Sequence, residues 1–324
     1  SNYNLGFDGS LRIFGDDYLI FAVAQTFDSD EDPASLLDAN RSRIAWKNLS
    51  NHGFTYSIQY GRSGEYFKPE SGFEIADNLF IIGRHFSYAW FASEKSKVLR
   101  HKLSVQYLFF FDNSSKVIDS AEIEPLWAVE RKDGSFYQLG VKSHIESLTD
   151  TLELPDDAII LPKRYDFYEL DATYRMAPGK LLRTGLNLKV GSFYDGHYFS
   201  LELTPEWNLV PHWTIGGSYQ PTYAWFPDRG QEFNYHLISL RIAYALNSKV
   251  SARTFINFNG ADDAIGINFR FRYNPKEGTD FYFVYNEGIN TDRKREVPTL
   301  PFTDSRTFLL KYSTTITPQL PWSN

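Results

Sequence analysis

Residues 264–288 read AIGINFRFRYNPKEGTDFYFVYNEG, and their first half alternates strictly between apolar and polar side chains. The apolar positions are Ile265, Ile267, Phe269, Phe271 and Tyr273. The positions between and after them are Gly266, Asn268, Arg270, Arg272 and Asn274. Because successive side chains of a strand point to opposite faces, this stretch predicts a strand with one apolar face and one polar, cationic face.

A turn follows at Asn274–Gly278, since proline fixes φ and glycine permits positive φ. Beyond it, Phe281, Phe283 and Tyr285 resume the apolar series. The same alternation recurs along almost the whole chain, with no helical pattern to supply elements that would cover the apolar faces. The sequence therefore predicts an all-β protein whose apolar faces are covered by something other than the chain itself.

The composition indicates that this cover is lipid. The chain contains 27 Phe and 21 Tyr, but one Met and no Cys. Its apolar runs, such as 107–111, fall far short of the about 20 residues that a transmembrane helix needs. A barrel strand crosses a bilayer in only about 9–11 residues and alternates between lipid-facing and interior side chains. The formal charge of −7 argues against nucleic-acid binding.

About 17 candidate strands are separated by connections that alternate between short and long over much of the chain. The short connections are Gly15–Asp17, Ser50–Gly53, Glu94–Lys97, Lys132–Ser135, Pro178–Lys180, Pro211–Trp213, Asn247–Lys249 and Asn274–Gly278. In outer-membrane barrels the short turns face the periplasm and the long loops face outward.

The pattern predicts an all-β fold: a transmembrane, antiparallel, up-and-down β-barrel of about 16–18 strands in the bacterial outer membrane. We assign residues 1–317 to the barrel and residues 318–324 to a C-terminal tail. Bacterial single-chain barrels usually have an even number of strands. The odd count therefore indicates either that one further strand lies before Ser1 or that the strands are miscounted. The count is weakest at Tyr18–Phe27, where the parity is ambiguous.

Three prolines, Pro125, Pro205 and Pro221, fall inside predicted strands. Because each removes a hydrogen-bond donor from the ladder, we expect bulges or strand edges at these positions.

Charged residues are distributed unevenly over the predicted polar faces. The acidic arc consists of Glu122, Glu124, Glu146, Glu169, Asp171, Glu202 and Glu206. The basic arc consists of Arg241, Arg253, Arg270, Arg272 and Lys311, joined on barrel closure by Arg12, Arg43 and Lys47. Closure would place the two arcs on opposite sides of the lumen, where their field would orient dipolar solutes. The alternative is that the charges form ion pairs that fill the lumen, for example Arg100 and Lys102 with Glu122 and Glu124.

Aromatic residues mark the opposite, membrane-facing side of the predicted strands. The membrane-facing aromatics are Phe269, Phe271, Tyr273, Phe281, Phe283 and Trp207. Tryptophans near strand ends are typical of the aromatic girdles at the two membrane interfaces. A rival interpretation, aromatic platforms for stacking sugars, applies best to the loop residues Phe67, Phe73 and Phe226.

Enzymatic chemistry is only weakly indicated. The seven histidines have no metal-binding spacing, and the absence of Cys removes thiolate ligands. His144 and Glu146 share a polar face, whereas Ser143 points the other way. We therefore expect no catalytic residues, no metal and no cofactor, and an outer-membrane hydrolase is the least favoured hypothesis.

Four segments carry a resemblance to a known group. They are Phe67–Phe73 (FKPESGF), Gly191–Gly196 (GSFYDG), Phe281–Gly288 (FYFVYNEG) and Arg306–Tyr312 (RTFLLKY). In this order they resemble the C-terminal barrel of a Bacteroidota family of unknown function, whose members usually carry a family-9 carbohydrate-binding-like domain ahead of the barrel. The 324 residues themselves contain no such domain, and they run past the last predicted strand as PQLPWSN. The resemblance implies an outer-membrane barrel and leaves the activity open.

The sequence thus favours a pore or transport conduit for small polar solutes, saccharide-like or peptide-like. The alternative is a plugged barrel that serves as a scaffold and docks a partner protein or its own upstream domain at the cell surface. The expected partners are outer-membrane lipid and a partner protein or missing N-terminal segment that completes or plugs the barrel. No nucleic acid is expected among them.

Overall fold

The computed structural model describes residues 1–29, 31, 35–69 and 78–315. These residues form an all-β protein built on an antiparallel, up-and-down sheet of many strands. This confirms the predicted strand class and topology. Within the described part of the chain, no helix has the length and apolar character of a membrane span. The predicted tail, residues 318–324, and the loop residue Phe73 lie outside the described residues.

Twenty-one strands and two short 3-10 helices make up the described secondary structure. In chain order they are β1 (Asn2–Phe14), β2 (Asp17–Asp28), β3 (Asn40–Asn48), β4 (Gly53–Ser63), β5 (Leu79–Phe91), β6 (Val98–Asp112), β7 (Ile118–Arg131), β8 (Phe136–Ser147), β9 (Leu152–Glu153), the first 3-10 helix (Pro155–Asp157), β10 (Ile159–Ile160), β11 (Arg164–Arg175), β12 (Leu182–Arg183), β13 (Gly185–Phe193), β14 (Gly196–Leu203), β15 (Glu206–Val210), β16 (Trp213–Phe226), the second 3-10 helix (Pro227–Arg229), β17 (Gln231–Ala245), β18 (Val250–Asn259), β19 (Ala264–Lys276), β20 (Thr279–Asn290) and β21 (Thr303–Thr314).

The chain makes 17 long traverses within the described residues, if β12 is counted with β13, β14 with β15, and the small β9–β10 hairpin is set aside. The number agrees with the predicted count, and the ambiguous region Tyr18–Phe27 lies within the single strand β2. All eight predicted short connections lie between consecutive strands. The hairpin after β19 is tighter than predicted, because Asn274–Lys276 belong to the strand and Glu277 and Gly278 alone form the turn.

The chain forms two compact units. The first contains Ser1–Leu154, Ile159–Thr173 and Lys189–His197. In it, β1 to β8 pair with their neighbours in chain order, each pair antiparallel. Every connection joins adjacent strands, so the alternation of side chains in one strand is carried directly onto the next.

The second unit contains Pro155–Ala158, Tyr174–Leu188 and the residues from Tyr198 onward. Here β12 pairs with β15, and β15 to β21 then pair in chain order, again antiparallel throughout. The hairpin of β19 and β20 places Phe271 opposite Phe283 and Tyr273 opposite Phe281. The predicted apolar face is therefore continuous from strand to strand.

Burial along the strands is the reverse of that in a water-soluble sheet. In β4, the exposed positions include Phe54 at 60% and Ile58 at 41%, whereas Thr55 and Ser57 are 7% and 8% exposed. The polar side chains are thus buried and the apolar ones are exposed. In water this arrangement would cost about 25 cal/mol for each Å² of apolar surface left uncovered.

The three prolines behave differently from one another. Pro205 interrupts its traverse, separating β14 from β15, as expected for a residue without an N–H donor. Pro125 and Pro221 lie inside the continuous strands β7 and β16. The pairing of β7 with β8 skips Glu124 and Pro125, whereas Pro221 pairs with His236 in an unbroken register. The predicted irregularity is therefore confirmed at Pro205 as a strand edge, is present at Pro125 as a gap in one ladder, and is wrong at Pro221.

Candidate functional site

The polar face carries every charged residue that the sequence assigned to the two arcs. In the first unit it holds Glu122, Glu124, Glu146, Glu169, Asp171, Arg12, Arg43 and Lys47. In the second unit it holds Glu202, Glu206, Arg241, Arg253, Arg270, Arg272 and Lys311. The two sets have different surroundings.

In the first unit, the polar face is organised around Glu122. Its carboxylate lies 3.8 Å from the Lys142 ammonium and 3.4 Å from Nδ1 of His144, which is its direct cross-strand neighbour. The His144 ring in turn stacks on Phe167 with 4.7 Å between ring centroids. Glu122 therefore holds two basic side chains of the adjacent strand in place.

A second group of contacts continues this network toward β13. Lys189 lies 3.4 Å from Glu169 and 3.9 Å from Asp171. In the turn after β13, the Tyr194 hydroxyl donates a hydrogen bond of 2.9 Å to Glu146. Burial raises the pKa of Tyr194 and the Glu146 carboxylate raises it further, so the hydroxyl keeps its proton and remains a donor.

These partners differ from the ion pairs proposed from the sequence. Arg100 pairs with Glu130 at 2.5 Å, its register neighbour on β7, whereas Glu122 takes its partners from β8. Charged residues of the first unit thus form ion pairs between neighbouring strands, as the alternative interpretation predicted, but the partners that it predicted are wrong.

A small cavity of about 210 Å³ adjoins the Glu122 network. Its wall includes Arg84, Gln106, Glu124 and Lys142. Arg84 has a φ of 134°, in the region that favours glycine, and its guanidinium donates two hydrogen bonds of 2.9 and 2.7 Å to Oε1 of Gln59. Such backbone strain persists only where the surrounding contacts hold it, and here the bidentate contact with Gln59 does so.

The hydrolase hypothesis required a nucleophile near His144. In the described residues, the contacts of His144 are with Glu122 and Phe167. Ser143 pairs with Ile123 on the opposite face, as strand alternation predicts. No group of three or more His, Asp or Glu residues in the described ranges is placed to hold a metal ion.

In the second unit, Glu206 occupies the centre of the polar face between two arginines. Nη2 of Arg183 donates a hydrogen bond to Oε1 of Glu206, and Nη2 of Arg241 donates one of 3.4 Å to Oε2. Arg183 is the direct register partner of Glu206 on β12, while Arg241 lies two strands away on β17. One residue of the predicted acidic arc is therefore bound to a residue of the predicted basic arc.

Arg241 spans this distance because Gly216 lies between it and Glu206. Gly216 is the register partner of both residues, on the strand that separates them. A Cβ atom at this position would lie 3.5 Å from Cγ of Glu206, so a larger side chain would stand directly in the path of the guanidinium. The glycine thus makes the two-arginine arrangement possible.

The remaining basic residues of the second unit are more open. Arg253 and Arg270 are exposed and lie directly opposite each other in the register of β18 and β19. Arg272 forms an ion pair of 2.6 Å with Asp280. Like charges placed directly opposite each other are unfavourable, so the juxtaposition of Arg253 and Arg270 keeps the face cationic at the expense of stability.

The apolar face carries the predicted membrane-facing aromatics. Trp207, Tyr273 and Phe281 are 48%, 43% and 37% exposed, and Phe269, Phe271 and Phe283 share their face by register. The loop aromatics are different. Phe67 and Phe226 are 5% and 1% exposed, so burial excludes both as open platforms for stacking sugars.

Sequence reasoning missed several residues of these polar faces. Arg183 lies beside the break at Thr184, where the strand pattern is weakest. Lys189 finds its partners on β11, the strand that pairs with its own, and Tyr194 finds Glu146 on β8, one strand further away. Phe255 lies on the polar face of β18 although its residue type is apolar. The one signal of this orientation in the sequence was that the residues of β18 with the same parity are polar.

Comparison with known proteins adds no relative. No protein-family model matches the chain, and no curated protein matches it significantly.

Proposed function

We propose that the chain closes into a β-barrel of the bacterial outer membrane, whose polar face lines a passage for small polar solutes. The observation that carries this proposal is the reversed burial of the strands, with Phe54, Tyr88 and Leu103 at least half exposed and Ser57, Ser87 and Ser104 buried. Lipid is the environment in which exposed apolar side chains of this density are stable.

Closure follows from the cost of open edges in lipid. In the described residues, β1 pairs with β2 and β21 pairs with β20, which leaves one edge of each strand without a backbone partner. In hydrocarbon each unsatisfied N–H or C=O group costs several kcal/mol, so spanning sheets are closed. Closure of the sheet is therefore the form in which these edges would be satisfied in a membrane.

The charges on the polar face support a passage for polar solutes. Exposed arginines such as Arg253 and Arg270 would be costly in contact with lipid and are stable next to water. Rings of charged side chains are a common means by which pores select their solutes. The resemblance to the Bacteroidota barrel family agrees with this location.

Planar-bilayer recording on the detergent-purified chain tests the passage. We expect stepwise conductance, and we expect Arg270→Glu to shift the reversal potential in a KCl gradient toward cation preference. Lys249→Glu, which makes the same charge change in an exposed turn, is the matched control. Bilayers that stay electrically silent, or equal shifts from both variants, would contradict the proposal.

A second candidate is a filled barrel that serves as a scaffold for a partner protein. The specific observation in its favour is the Glu122 and Lys189 networks of the first unit, which occupy much of the polar face there. This candidate predicts a silent bilayer together with a second chain that stays bound through purification from native membranes.

A further inference from the structure

A cavity of about 500 Å³ opens on the polar face of the second unit. Its wall includes Arg183, Glu206, Gly216, Arg241, Phe255 and Asn257. Ligand sites for small molecules fall in the range of about 300–1,000 Å³, so the space suits a solute of monosaccharide size.

The cavity has an excess of positive charge. Arg183 and Arg241 share the single carboxylate of Glu206, so the three side chains together carry one net positive charge. Each guanidinium has five N–H donors, and in the described residues each uses only Nη2 in its contact with Glu206. Both side chains are also accessible, with 41% and 46% of their surface exposed. They can therefore bind a second carboxylate, a group that guanidinium recognises in bidentate fashion.

Phe255 supplies a different kind of contact beside the same arginine. It is the register partner of Arg241 and is 38% exposed, although it lies on the polar face where lipid does not cover it. The neighbouring wall residue Asn257 adds an amide that donates and accepts hydrogen bonds. An apolar ring next to a cation and an amide matches a solute that has both an apolar ring face and an anionic group.

We propose that this cavity binds a small ring-bearing carboxylate of the hexuronate type. The solute carboxylate contacts Arg183 and Arg241, its ring packs on Phe255, and its hydroxyl groups meet Asn257. The inference rests on the proposed passage as the route to the cavity, and it names the class of solute that the passage favours.

Calorimetric titration of the detergent-solubilised full chain tests the site without any need for conduction. The probes are sodium D-glucuronate, D-glucose as the neutral ring and sodium acetate as the carboxylate without a ring. We expect glucuronate to bind at least tenfold more tightly than either of the others. Equal affinity for glucose and glucuronate would overturn the role of the arginines, and equal affinity for acetate would overturn that of Phe255.

Variants separate the cavity from a general charge effect. Arg241→Gln should weaken glucuronate binding at least tenfold, whereas Arg253→Gln removes the same charge from the polar face outside the cavity wall and should leave binding within twofold. Equal losses from both variants would overturn the proposal. Glu206→Gln keeps the shape of the site and removes the competing carboxylate, so it should tighten binding severalfold, and weaker binding would contradict the inference.

The two proposals fail in different ways. Loss of selective binding in a chain that still conducts overturns the carboxylate site alone. A silent bilayer formed with a chain that still binds glucuronate overturns the passage alone.

Discussion

Part of the polar face of the first unit, on β4 to β8, and part of that of the second, on β15 to β19 near Glu206, are built on the same strand alternation and differ in how they are filled. In the first unit small side chains such as Thr55, Ser87 and Ser104 are buried, and charged groups pair across neighbouring strands. In the second unit Gly216 and Gly266 leave space, and Arg241, Arg253 and Phe255 are exposed. Alternation determines which side chains share a face, whereas their size and their partners determine whether that face is closed or open.

This difference separates two uses of charge. Glu122, with Lys142 and His144 as neighbours, has basic side chains that are less than a quarter exposed, so its ion pairs mainly hold strands together. Glu206 has arginine partners that are more than two-fifths exposed, and most of their donors point to no described acceptor. The second arrangement is therefore the one suited to binding a solute.

Introducing an arginine into each face should have the largest effect. Ser87→Arg in the first unit would overfill a buried position, break the 2.6 Å hydrogen bond with Thr55 and bury a charge, costing about 3 kcal/mol or more. Asn257→Arg in the open face of the second unit should cost about 0.5 kcal/mol or less. Urea unfolding in detergent measures both, and similar losses would remove the distinction between closed and open faces.

A smaller contrast is expected from a single methyl group. A Cβ atom at Gly140 in the first unit would lie 3.0 Å from Oε1 of Glu124, whereas one at Gly266 in the second would have no neighbour within 4 Å. We expect Gly140→Ala to be less stable than Gly266→Ala by about 1 kcal/mol, because overpacking offsets the entropic gain that alanine brings. The difference between the two urea midpoints checks this, and a more stable Gly140→Ala would show that the first face has unrecognised space.

Removing the central carboxylate of each face should sharpen the comparison further. Glu122→Gln removes one partly exposed ion pair, with Lys142, and a polar contact with His144, and Glu206→Gln breaks two partly exposed ion pairs, so the stability cost of either is about 0–1 kcal/mol. Their effects on ion selectivity should differ. Glu206→Gln should shift the reversal potential in a KCl gradient toward anion preference, and Glu122→Gln should shift it less. The reverse order would place the selective region in the first unit.

The smallest expected effect is in the turns, where the two units use the same geometry with different chemistry. In the first unit, Oδ1 of Asp133 accepts a hydrogen bond from the Ser135 backbone N–H, and in the second Oδ1 of Asn247 accepts one from the Lys249 N–H. Hydrogen bonds from the Ser135 hydroxyl and backbone lower the pKa of Asp133. Its contribution to stability is therefore present above the unfolded-state pKa of about 3.9 and is lost as pH falls through the lower native value.

Asp133→Asn gives the turn of the first unit the amide found in the second. Protonation of Asp133 accounts for part of the stability that the chain loses below about pH 4. We expect Asp133→Asn to lose less stability between pH 7 and pH 3 than the unaltered chain, because its amide does not titrate. Urea unfolding at pH 3 and pH 7 measures the change, with Asn247→Gln as a control that should leave the pH dependence unaltered. An unchanged pH dependence in Asp133→Asn would assign the effect to other carboxylates.

The strands were predictable because their signal is local. The alternation in residues 264–288 fixes which face each side chain occupies, and β19 and β20 follow it almost to the turn. The interruption at Pro205 was also predictable, since a missing N–H acts on its own strand. Arg12, Arg241 and the other residues of the predicted arcs could be placed on the polar face for the same reason.

The partners of those residues were not predictable. The contact between Glu206 and Arg241 crosses a strand and depends on Gly216, and the sequence spacing of these three residues does not reveal it. Burial of Phe226 likewise depends on how the segment around Phe233 packs against it.

The amino-acid sequence by itself thus determined the succession of long strands, the positions of the short turns and the parity of side chains wherever the alternation is clear, because a strand alternates with a period of two residues whatever surrounds it. The tertiary structure alone decided which charges meet and where space is left. Those outcomes depend on the register between neighbouring strands and on side-chain volume across them, which bring together residues far apart in the chain.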